Sequence, residues 1–131
     1  MQWQENMQLI DANVMLRYLL NDHPVMSQKA KLIIASTQTY TKPEIISEVV
    51  YVLNKVYHMD KKTIRTCIHS LLDDISCTEK KCVLYAIDIH ASISLDFVDC
   101  MLIAYHKINH ENIFSFDNKL NKHLNNPLRQ M

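Results

Sequence analysis

"MQLIDANVMLRYLL", residues 7–20, decides the fold class. Its first part, "MQLID", reads as a short strand. The following "ANVMLRYLL" places Ala12, Met15, Leu16, Leu19 and Leu20 at the spacing of one helix face. Asp11 stands at the joint. Working outward, Pro24 opens a second helix, "PVMSQKAKLIIAS", because proline is tolerated in a first turn. "TQTY", residues 37–40, is rich in β-preferring residues and reads as a strand. Pro43 starts a helix to about Tyr57, with Ile45, Ile46, Val49, Val50, Val52, Leu53 and Val56 on its apolar side. Asp60 caps "KKTIRTCIHSLLDD". A helix is predicted over "KKCVLYAIDIHAS", and another from its N-cap Asp96 to about Asn109. "NIFSF", residues 112–116, reads as a strand and "NKLNKHL" as a closing helix. Short strands alternating with helices predict an α/β layer on a small, mainly parallel sheet.

The chain has 131 residues, 48% of them hydrophobic, which predicts one domain over residues 1–131. No apolar run approaches the about 20 residues a bilayer requires. The start, "MQWQENMQLID", lacks the basic and apolar regions of a secretory leader. A cytoplasmic protein with no membrane partner is therefore expected. Fourteen basic and 14 acidic residues cancel, so any attraction for nucleic acid has to be local. The chain contains no glycine, which excludes the Gly-rich phosphate-binding loops. Left-handed backbone positions then fall to Asn or Asp. Asn21-Asp22, Asn109, Asn112, Asn118 and Asn125-Asn126 are the candidates. Cys67, Cys77, Cys82 and Cys100 form no C-x-x-C pair and read as small buried thiols.

Acids in apolar surroundings carry the functional signal, since an unpaired buried carboxylate is heavily penalised. Asp11 follows the first strand and Asp117 follows "IFSF". Glu48 lies within "EIISEVVYVL", and Asp99 within "LDFVDCMLIA". The carboxyl ends of parallel strands line the crevice where ligands bind. Asp11 and Asp117 would open onto it, and Glu48 and Asp99 would point there from helix faces. Converging carboxylates repel unless a cation separates them. A hard divalent ion with oxygen ligands, Mg²⁺ or Mn²⁺, is the usual answer. Such an ion can activate a water against a phosphodiester. Each acid also has a plainer reading. Asp11 and Asp117 can cap helices, Glu48 can be solvated, and Asp99 can complete a capping box. Glu44, one turn before Glu48, competes for its role. Asp96 reads as a cap before a ligand. His106 and His110 have the i, i+4 spacing of a zinc pair, but their helix ends by Asn109.

"LIDANVMLRYLLNDHPVMSQKA", "EIISEVVYVLNKVY", "LDFVDCMLIAY" and "IFSFDNKL", in this order, resemble a PIN-domain ribonuclease, and more narrowly the VapC toxins of type II toxin–antitoxin systems. The resemblance spans nearly the whole chain. It implies a three-layer α/β/α fold and a metal site of three or four acids matching Asp11, Glu48, Asp99 and Asp117. It also implies accessory roles for Asn13 and the more variable Asp96, and demotes Glu44. The implied activity is metal-dependent hydrolysis of RNA, with a cognate antitoxin as partner and a homodimer as assembly. Arg17, Lys119, Lys122, His123 and Arg129 are the candidate RNA contacts, with a solvated face as their plainer reading. Where the family often has glycine, this chain has His58 and Ser94, so turn geometry is where it departs. The alternative is a catalytically silent PIN-like module that binds RNA or a protein. Phosphate transfer of the response-regulator type also uses an Asp after the first strand. It needs paired acids or D-x-D there, and "DANV" supplies only Asp11 with Asn13.

Overall fold

Asp11 follows the first strand and caps the first helix, as its place in the sequence requires. In the computed structural model, which describes residues 7–36 and 38–124, strand β1 (Gln8–Leu9) runs into helix α1 (Ala12–Leu20). Asp11 accepts a hydrogen bond from the Val14 N–H at 3.0 Å, satisfying one of the helix's orphan donors. Asn21 closes α1 in the left-handed conformation, φ 50°, the role glycine usually fills. Then follow α2 (Pro24–Ile34), β2 (Thr39–Thr41), α3 (Pro43–Lys55), α4 (Lys61–Asp74) and β3 (Ser76–Cys77). The three strands form one parallel sheet in the order β1-β2-β3. These elements make up a first compact unit, residues 1–80.

Burial follows the helical periodicity. α3 buries Ile46, Val49, Val50 and Leu53, and α4 buries Ile64, Ile68, Leu71 and Leu72. Each set recurs at three- and four-residue steps, one stripe of a helix. Tyr18 of α1 donates its hydroxyl to Asp74 Oδ2, at the end of α4, at 2.6 Å.

The second unit, residues 81–131, contains nearly all of α5 (Lys80–His90), then α6 (Phe97–Asn109) and the short α7 (Asn118–Asn121). α5 buries Cys82, Val83, Ala86, Ile87 and His90. α6 buries Phe97, Cys100, Met101, Ile103 and Ala104. The imidazole of His90 meets Phe97 edge-on, with centroids 5.9 Å apart.

Three expectations need correction. Residues 112–116 form no strand. Their alternation is real, but it leaves Phe114 65% and Phe116 91% exposed, so pairing in a sheet would bury little. The two rings instead meet edge to face at 5.1 Å. Ser115 serves the cap of α7 through its carbonyl and hydroxyl, a local alternative to a ladder. The sequence reading also missed β3, whose two residues lack any β-branched run and pair with Tyr40 and Thr41 of β2. Finally, the left-handed positions among the described residues are Asn21, His58, Glu79 and His110. Asn109, Asn112 and Asn118 are not among them, and Asn125-Asn126 lie outside the described residues.

Candidate active site

In the first unit the parallel strands bring their carboxyl ends to one edge. Asp11 follows β1 there, and Ile10 extends the pairing by donating to the Tyr40 carbonyl at 2.9 Å. Asp11 is exposed, as is Asn13 in the first turn of α1. The central strand ends at Thr41, whose fully buried hydroxyl has no hydrogen-bond partner among the described residues. α3 starts two residues later. Glu44 lies in its first turn and Glu48 in its second, both exposed at the helix surface. Glu44 is close enough to Cys77, at the end of β3, to help burial push that thiol up to about 12. Arg17 is committed elsewhere: its guanidinium pairs with Asp22 at 2.9 Å and donates to the Tyr57 hydroxyl at 3.2 Å.

In the second unit Asp96 is the N-cap of α6, accepting from the Asp99 N–H at 2.9 Å. Asp99 lies in the first turn and is half-buried. Burial pushes its carboxyl above the usual range, and the charges of Asp96 and Asp117 push it further. Asp99 therefore lies within electrostatic reach of Asp96 and Asp117. Asp117 caps α7, accepting from the N–H groups of Lys119 at 2.9 Å and Leu120 at 3.2 Å. Its own N–H donates to Ser115 Oγ at 2.9 Å. The side chain of the buried Asn121 donates to the Ser115 carbonyl at 2.9 Å, so the turn that presents Asp117 is tied to α7. Ser115 and Asn121 are positioning residues that the sequence reading missed. Their signal was the S-x-D spacing followed four residues later by an amide.

Lys119 and Lys122 are exposed beside this turn, and His123 is half-buried. Arg129 lies outside the described residues. The His106 ring hydrogen-bonds the Glu111 carbonyl at 2.9 Å, and His110 is the left-handed C-cap of α6. The two imidazoles do not share a helix face.

The donor chemistry suits a hard cation. Every candidate ligand is a carboxylate, and in the second unit burial, with the charges of Asp96 and Asp117, disfavours the ionised form of Asp99, a cost that a cation offsets. Among the described residues of either unit, no three His, Cys, Asp or Glu side chains are grouped to hold a metal ion.

A sequence model of the PIN domain matches residues 9–123. The chain belongs to the PIN-domain family. The match begins at Leu9 in β1 and ends at His123 just beyond α7, so it takes in all four candidate acids. The helix-rich PIN fold with its small parallel sheet is the α/β architecture described above. PIN domains are generally nucleases, which places this chain among hydrolases of nucleic acids. No curated protein and no solved structure gives a significant match to this PIN domain. Among the described residues, no helix is long and apolar enough to cross a membrane.

Proposed function

We propose that this PIN domain is a metal-dependent endoribonuclease, the toxin of a toxin–antitoxin pair, acting in the cytoplasm. The observation that carries the reading is the placement of Asp99: a half-buried carboxyl in the first turn of α6 whose ionisation is opposed first by burial and then by Asp96 and Asp117. Acids kept together against their own repulsion cluster at functional sites. Asp11, Glu48, Asp99 and Asp117 would hold Mg²⁺ or Mn²⁺, with Asn13 and Asp96 as accessories. When bound, the ion supplies positive charge for the phosphodiester oxygens and acidity for the attacking water. The chain's own part is placement. The helix caps made by Asp11 and Asp117 engage Oδ1 of each carboxylate, so Oδ2 of each would serve a ligand.

Lys119 and Lys122 would contact the RNA backbone. Arg17 would do so only by sharing the guanidinium already engaged by Asp22 and Tyr57. A small antitoxin protein and a second copy of the chain are the proposed partners. The family match extends from residue 9 to 123, which supports reading residues 1–131 as one PIN domain.

Purified protein incubated with single-stranded RNA and Mn²⁺ tests the assignment. Glu48→Gln should abolish cleavage, whereas Glu44→Gln should cut at close to the wild-type rate. The opposite pattern would assign the second acid to Glu44, and cleavage by both variants would remove α3 from the site. A second reading, a silent module that binds without cutting, is favoured by the lack of a ready three-ligand group among the described residues. It predicts RNA binding with no cleavage at any Mn²⁺ concentration and no metal-dependent rise in melting temperature.

A further inference from the structure

The second unit contains a cavity of about 230 Å³. Tyr85 and Ile89 of α5, Ile93 just beyond it, and Ile103 of α6 give it an aromatic and aliphatic lining. Lys107, at the far end of α6, and Lys122 and His123, just after α7, complete the lining. Among the described residues, no carboxylate lines it. The contrast with the cavity of about 630 Å³ beside β3 is direct, since that one is lined by Asp73, Asp74 and Glu79 with Lys80. In a chain whose charges sum to +0, attraction for a polyanion has to come from such a local excess of cations. We propose that this cavity takes one unpaired nucleotide of the RNA, the base against Tyr85 and the isoleucines and its phosphate between Lys107 and Lys122.

Size and chemistry both favour this occupant. The cavity is smaller than the roughly 300–1,000 Å³ of a drug-sized ligand site, which suits a single base. A helix of a partner protein needs instead a groove that admits anchors over two turns, about 10 Å or more. Recognition of single-stranded nucleic acid combines an aromatic or apolar platform for the base with cations that track the backbone. Both are present here within one unit. Lys107 is eight residues past Asp99 on α6, about 12 Å along the helix. The nucleotide held here is therefore beyond the acids rather than at them. Its role is to hold and orient the strand that the nuclease would cut, and in that sense it rests on the ribonuclease reading.

Binding of a fluorescent oligouridine in EDTA, where no metal-dependent cleavage occurs, tests the proposal by titration at several salt concentrations. Replacing both Lys107 and Lys122 by Ala should lower the slope of log K against log salt by about 0.7, the share of the one single-strand phosphate left without its cations. Tyr85→Leu should weaken binding about tenfold, and Tyr85→Phe should restore it, because stacking needs the ring and not the hydroxyl. Thermal melts of each variant confirm that it is folded. If folded variants bind the oligonucleotide as wild type does, the proposal is wrong. It is equally wrong if they lose only affinity for a glutamate-rich amphipathic peptide. The two readings separate cleanly. Wild-type cleavage rates and KM in these variants would leave the nuclease assignment standing and remove the cavity. Cavity-dependent binding with no cleavage in Mn²⁺ would do the reverse.

Discussion

Asp96 and Asp99 illustrate how much one residue position can reveal. Their three-residue spacing is that of a helix cap and its first turn, and Asp96 does accept the Asp99 N–H. The sequence could not show that Asp117 also presses on Asp99, because that proximity is tertiary. Holding Asp99 half-buried beside two like charges opposes folding unless a cation is present. Asp99→Asn should therefore raise the melting temperature measured in EDTA while abolishing RNA cleavage, the trade between stability and activity expected at a strained site. Adding Mn²⁺ should raise the melting temperature of wild type and leave the variant unmoved. A variant that melts below wild type in EDTA would mean that the carboxylate is not under repulsion. Asn121 was invisible for another reason: an amide in a short polar helix looks solvated until its bond to the Ser115 carbonyl is seen.

Helices were legible as elements because their apolar stripes and caps are written locally. α1, α4 and α6 occupy the predicted spans, and Asp11, Asp60 and Asp96 cap them. Strands were less legible. β3 exists because β2 offers it a partner, whereas 112–116 had a strand's alternation but no burial for its phenylalanines. Turns were least legible without glycine. After α3, His58 takes φ 54°, and the next N–H, of Met59, reaches back to the Leu53 carbonyl at 2.9 Å. A β-carbon there costs energy, partly offset by the lower entropy of the unfolded chain. His58→Gly should therefore stabilise the fold by about 0.5 kcal/mol, measured by urea denaturation, and a destabilised variant would assign the ring an interaction of its own. Between α1 and α4, the bond from Tyr18 to Asp74 raises the tyrosine's pKa above its ordinary 10.0. The protonated phenol is the bonded form, so its stabilisation is complete below pH 10 and is lost as pH rises through the raised value. Tyr18→Phe should cost about 1 kcal/mol at pH 7, the low end for a bond to a charged group that solvent screens. The two proteins should converge in strongly alkaline solution, and a difference that persisted there would assign the effect to packing.

For the molecule as a whole, what the sequence could not convey is how the chain divides. It clusters into residues 1–80, which hold the entire sheet, and residues 81–131, which contain no strand among the described residues. The four proposed ligands are split between them, Asp11 and Glu48 in the first and Asp99 and Asp117 in the second. A unit of about 50 residues rarely buries enough apolar surface to be stable without a disulfide or a metal. All four cysteines of this chain are free thiols. The second unit thus has no covalent staple of its own, while the family match, residues 9–123, extends across the boundary. The one-domain proposal therefore predicts a single cooperative transition, with equal calorimetric and van't Hoff enthalpies in EDTA. Mn²⁺ should move that one transition upward as a whole, because the proposed ligands are drawn from both units and the ion they would share would link them. Two resolved transitions, with Mn²⁺ shifting only the one that involves residues 81–131, would mean that the acids of the first unit do not share the ion. In that case Asp11→Asn should leave the metal-dependent shift intact.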